Sequence, residues 1–129
     1  MHASRVLVVD DEPLIQEMLR ECFLSQGWAT VCAGDADEAL RLVRPGDVAL
    51  VDAVLPGAMT GLALAARLEA AGVPVLMMSG QPEALEEITA THRRVILAKP
   101  FRVNEVVAAL ESLRRKLRPA GVRRLFVDA

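Results

Sequence analysis

Short apolar runs alternate with longer amphipathic stretches along the chain. Arg5-Val6-Leu7-Val8-Val9 is β-branched and apolar at successive positions, as expected of a strand covered on both faces in a parallel sheet. It ends at Asp10-Asp11-Glu12-Pro13, where proline suits a first helical turn and acids suit its positive end. Ile15, Met18, Leu19, Cys22 and Phe23 follow at helical spacing and predict one helix face, stopped by Gly27. Residues 29–33 predict a strand, 37–43 a helix ended by Pro45-Gly46, and 48–51 a second central strand running into Asp52. A loop with Pro56 and Gly57 leads to a helix over 61–71, then a strand over 73–78 closed by Ser79-Gly80. A helix over 82–91, a strand over 95–98 and a final helix striped by Val103, Val106, Val107, Leu110, Leu113 and Leu117 complete the pattern. Five strands alternating with five helices predict an α/β fold, a doubly wound parallel sheet joined by right-handed crossovers. The segment 118–129, with Pro119 and Gly121, is expected to lie outside the core as a basic C-terminal tail, leaving 1–117 as one domain.

Composition narrows the function classes. A chain of 129 residues fits one domain, and a formal charge of −2 excludes a strongly basic nucleic-acid binder as the default. That total averages two unlike parts: −7 over residues 1–113 and +5 over 114–129. No apolar run approaches a membrane span, and the acids at Asp10 to Glu12 interrupt any leader-like stretch, so a cytoplasmic location is expected. Cys22 and Cys32 lack metal-ligand spacing and are expected as buried free thiols. Trp28, just past Gly27, is expected to pack at a rim, and His2 and His92 are expected to be solvated.

In a sheet of this kind, ligands collect beyond the carboxyl ends of the strands. Those ends carry Asp10 and Asp11, Asp52, Ser79 and Lys99. Three neighbouring carboxylates repel one another, and a divalent cation relieves the repulsion; a set of hard oxygens suits Mg²⁺. A carboxylate beside such an ion, an ammonium and a hydroxyl also suits a phosphoryl acceptor. Lys99 is one of only two lysines against thirteen arginines, and a compact ammonium at that strand end has uses that a guanidinium does not.

The ordered set Asp10-Asp11, Asp52, Leu55-Pro56-Gly57, Ser79 and Lys99-Pro100-Phe101 resembles the receiver domain of two-component response regulators over about residues 4–117. The resemblance implies a flavodoxin-like sheet of order 2-1-3-4-5. It implies that Asp52 accepts a phosphoryl group from a histidine kinase or histidine phosphotransfer protein. Asp11, Asp52 and the Val54 backbone carbonyl would bind Mg²⁺, with Asp10 acting mainly through water. Ser79 and Lys99 would contact the phosphoryl oxygens, and the Lys99-Pro100 bond would be cis. The chain would not be an enzyme beyond its own phosphorylation and dephosphorylation. It would signal to a protein target through the face formed by the helix over 82–91, the strand over 95–98 and the final helix. A homodimer is compatible with this reading, a membrane is not expected, and nucleic acid is not expected as a partner.

Some positions depart from the family pattern. The loop from Pro56 to Gly61 is one residue longer than usual, as in receivers of hybrid kinases. Ile96 stands where an aromatic switch residue is common, and Val54 and Gln81 stand where the family tunes water access. No output domain is expected after residue 117. The competing readings are a hybrid-kinase or phosphorelay receiver, a pseudo-receiver that binds without phosphorylation, and a Mg²⁺-dependent phosphate-ester hydrolase. The hydrolase would want an acid beside Asp52, where Ala53 and Val54 stand.

Overall fold

The computed structural model describes residues 5–80 and 95–117. Five strands, β1 (Arg5–Val9), β2 (Ala29–Ala33), β3 (Val48–Asp52), β4 (Val75–Ser79) and β5 (Val95–Ala98), form one sheet in the order β2-β1-β3-β4-β5. Every pairing is parallel. The described helices are α1 (Pro13–Ser25), α2 (Ala36–Leu42), α3 (Gly61–Ala70) and α4 (Val103–Leu117). The helix expected over 82–91 and the tail 118–129 lie outside the described residues, as do His2 and His92. Among the described residues, no helix is long and apolar enough to cross a membrane.

The strands alternate their side chains between two cores. Leu7, Val9, Ala49, Val51, Val75 and Met77 face α2 and α3, meeting Ala36, Ala39, Leu64, Ala65 and Leu68. Val6, Val8, Val48, Leu50, Leu76 and Met78 face α1 and α4, meeting Leu19, Phe23, Val106 and Leu110. Two covered faces explain why the strand sequences read as continuous apolar runs.

Local chemistry sets the helix ends. Asp35 caps α2 by accepting the Glu38 N–H at 2.8 Å, while Glu38 Oε1 accepts the Gly34 N–H at 2.8 Å. This reciprocal arrangement starts the helix at Ala36 rather than at Asp37. Thr60 caps α3 through the Ala63 N–H at 3.0 Å. Gly27 takes a left-handed φ of 84° after α1, as a helix stop there requires. The fourth strand begins at Val75, not Val73, because the Val73 N–H bonds back to Leu68 O at 2.9 Å and finishes the turn after α3.

Three expectations about side chains need correction. Trp28 is buried rather than at a rim, tilted against Phe23 with ring centroids 6.2 Å apart, and its indole N–H donates to Glu111 Oε2 at 3.2 Å. The bonded indole nitrogen is what makes that burial tolerable. Met18 lies at the outer edge of the α1 stripe and is 38% exposed, whereas Leu19 and Phe23 are fully buried. Cys22 and Cys32 are free but only half-buried, and burial pushes the Cys32 thiol pKa up against the opposing pull of Arg20.

At the amino-terminal edge of the sheet, the Arg5 guanidinium lies 3.0 Å from the buried Asp47 carboxylate and donates to Leu42 O at 2.6 Å. Burial raises the Asp47 pKa despite the Arg44 N–H and the Arg5 charge. A raised folded pKa contributes stability that is complete below the ordinary carboxylate value and is lost as pH rises through the folded one. The stability of the native chain relative to Asp47→Asn therefore falls as pH rises above the ordinary carboxylate range, from about pH 4 upward. Urea midpoints across that range measure it, and a gap that widens with pH contradicts it.

Candidate functional site

The sheet order reverses between β1 and β3, and the carboxyl ends of these two strands carry the acids. Asp10 continues β1, its N–H bonding to Ala33 O at 3.0 Å, and its Oδ1 accepts the Glu12 N–H at 2.8 Å. That turn lets Pro13 open α1 immediately. Asp52 is the last residue of β3, and its Oδ1 accepts the Val54 N–H at 3.0 Å. Lys99 follows β5, its N–H bonds to Ser79 O at 2.8 Å, and the Lys99-Pro100 peptide is cis, as the resemblance implied.

Lys99 reaches into the acids. Its Nζ lies 2.8 Å from Asp52 Oδ2, 3.1 Å from Asp10 Oδ2 and 3.7 Å from Glu12 Oε1. Asp10 is fully buried, Asp52 and Ser79 are 6% exposed, and Asp11 stands in solvent. One carboxylate oxygen from each of Asp10, Asp11 and Asp52 falls within a group spanning 4.8 Å. The structure thus brings Asp10, Asp11, Asp52 and Lys99 together. Ser79 closes the adjacent strand β4, and the Val54 side chain points outward at 78% exposure.

The electrostatics follow from two buried or nearly buried acids sharing one ammonium. Burial raises the Asp10 pKa, and the Asp52 charge adds to it, against the Glu12 N–H and Lys99. Burial also works against the Lys99 ammonium, but its hydrogen bonds to Asp52 and Asp10 and their charges outweigh it and hold its pKa above the usual lysine value. Three acids therefore carry more negative charge than one lysine offsets, and a hard divalent cation fits this donor set.

Sequence reasoning missed two supports. Gly61 opens α3 so close to β3 that a Cβ there would collide with the Asp52 carbonyl oxygen and sit 2.8 Å from Ala53 Cα. Gln16, one turn into α1, donates to Asp10 O at 2.6 Å. Neither is visible in the apolar pattern, because both act on backbone atoms brought near only by the fold. Ile96 is half-buried against the core beneath α2 and α3.

The sequence profile of the response regulator receiver domain matches residues 6–111. The chain belongs to the response regulator receiver domain family. DNA-binding response regulator MtrA of Mycolicibacterium smegmatis is 33% identical over 118 residues, covering 88% of this chain and 51% of that protein. The receiver domain of the Francisella response regulator 1452 superposes with a TM-score of 0.77 at 26% identity, over 89% of this chain and 99% of that one. Response regulator TrrA of Thermotoga maritima, solved in complex with Mg²⁺-BeF, superposes with a TM-score of 0.74 at 25% identity, over 88% and 99% of the two chains. This receiver thus spans about half the length of the curated relative. That relative is named as DNA-binding, which counts against the expectation that nucleic acid has no place among the partners.

Proposed function

We propose that this receiver accepts a phosphoryl group on Asp52 from a histidine kinase or histidine phosphotransfer protein and thereby changes its affinity for a protein partner. The carrying observation is the Asp52 carboxylate at a strand end, 2.8 Å from the Lys99 ammonium and grouped with Asp10 and Asp11. In the transfer, an Asp52 carboxylate oxygen bonds to phosphorus as the phosphorus–nitrogen bond of the donor histidine breaks, and the released imidazole takes up a proton. Asp10, Asp11, Asp52 and the Val54 carbonyl would hold Mg²⁺. The ion would offset the charge of the acids and of the arriving phosphoryl group. Lys99, already on the acceptor, supplies positive charge to the phosphoryl oxygens, and the Ser79 hydroxyl donates a hydrogen bond to them. The metal complex named for TrrA supports this assignment.

Switching in this reading passes through Ser79 and the backbone joining it to Lys99, because Ile96 offers no aromatic ring to flip. The partner meets the face that includes β5 and α4. Binding to DNA, named for MtrA, enters through whatever protein or domain the receiver controls.

Acetyl phosphate with Mg²⁺ tests the reading. Intact-mass measurement shows one added phosphoryl group, and chelation by EDTA reduces its appearance to background. Labelling that ignores EDTA contradicts the metal assignment, and continuous release of phosphate from an external phosphate ester revives the hydrolase.

A further inference from the structure

We propose that Gln16 is a positioning residue that fixes the backbone turn carrying Asp10 and Asp11, and through that turn the cation site. The cation part rests on the metal reading above. The Gln16 amide nitrogen donates to Asp10 O at 2.6 Å and reaches Ala33 O at 3.4 Å. Ala33 O also accepts the Asp10 N–H at 3.0 Å, so one side chain of α1 is fastened to the ends of both β1 and β2. The Gln16 N–H makes the first-turn bond of α1 to Glu12 O at 3.1 Å, and the Gln16 carbonyl faces Cys32 Sγ of β2 at 3.9 Å.

The consequence lies in the peptide plane between Asp10 and Asp11. The Asp10 carbonyl and the Asp11 N–H share that plane, so holding the carbonyl removes its freedom to rotate. The plane sets where Asp11 N and Cα sit, and the Glu12 N–H bond to Asp10 Oδ1 restrains the backbone on the other side of Asp11. The Asp10 side chain is held separately, by the Glu12 N–H at 2.8 Å and by Lys99 at 3.1 Å. Asp11 is exposed and has no comparable tether among the described contacts, so its placement relies on the plane that Gln16 holds. Residues that orient metal ligands without touching the ion commonly alter metal affinity when replaced.

The test uses the whole chain with Gln16→Leu, which keeps much of the volume and removes both donors. Amide hydrogen exchange and Mg²⁺ calorimetry are the two readouts. The Glu12 amide is expected to exchange about tenfold faster than in the native chain while the Val8 amide is unchanged. The Kd for Mg²⁺ is expected to rise about tenfold. Thr60→Ala, which removes a helix cap elsewhere, moves neither readout and controls for general loss of stability. Gln16→Asn keeps the amide but falls one methylene short, and it shows the same changes should Gln16→Leu fail to fold. Native exchange at Glu12 together with native Mg²⁺ affinity in both variants overturns the proposal. If the native chain itself takes up no Mg²⁺, the metal reading fails, and Glu12 exchange alone decides the role of Gln16.

Discussion

Asp52→Asn removes phosphoryl incorporation from acetyl phosphate to background while leaving the fold intact. The carboxamide oxygen lacks the charge that makes the carboxylate a nucleophile, and it attracts neither Lys99 nor a cation as strongly. The fold survives because the bonds of Asp52 are replaceable. Its Oδ1 accepts the Val54 N–H, which an asparagine oxygen also does, and Lys99 keeps Asp10 at 3.1 Å. Removing the Asp52 charge also relieves one of the causes that raise the Asp10 pKa. The change in stability should therefore stay within about 1 kcal/mol, the net scale of one hydrogen bond. Intact mass and a urea melt measure the two effects separately. A variant labelled as well as the native chain would place the acceptor on another residue.

Gly61→Ala has the largest expected effect on stability. The added methyl carbon meets the Asp52 carbonyl oxygen, Ala53 Cα at 2.8 Å and Ala53 C at 2.9 Å, all backbone atoms at the end of a central strand. No rotamer change relieves such contacts, so α3 must move away from β3, and Leu64, Ala65 and Leu68 move with it out of a core in which they are essentially fully buried. Overpacking of this kind costs about 3 kcal/mol or more. For a domain of this size that lowers Tm by roughly 10 °C. Gly57→Ala is the comparison. Gly57 has a left-handed φ of 96° but open space around its Cα, so its cost is confined to backbone strain of about 1 kcal/mol. Equal losses in the two variants would show that the close approach at Gly61 is not what demands glycine. Because Gly61 rests on the acceptor residue itself, its replacement should also slow labelling of Asp52, whereas Gly57→Ala should not.

Much of this was legible in the residue order. Runs such as Val6 to Val9 and Val48 to Val51 have few conformations open to them other than strands covered on both sides, and the five strands were placed to within two residues at each end. The acids at Asp10, Asp11 and Asp52 and the lysine at Lys99 were identifiable because strand ends converge in a parallel sheet. What escaped were side-chain contacts to the backbone and the long-range contacts away from the converging strand ends. The sequence pattern shows neither the Gln16 amide against Asp10 O nor the Arg5 guanidinium beside Asp47, because only the fold brings those atoms together. Trp28 was misplaced because local sequence shows a residue after a helix stop and says nothing of Glu111, eighty-three residues later, which bonds its nitrogen.

That last contact makes the protein its own optical instrument. Trp28 is the sole tryptophan and the chain has no tyrosine, so near-ultraviolet excitation addresses a single indole. This fluorophore is buried beside Phe23 on the α1 side of the sheet and bonded to a side chain of α4. Its emission therefore follows the docking of α4 onto α1, and a red shift marks the moment that water reaches the joint between the two helices.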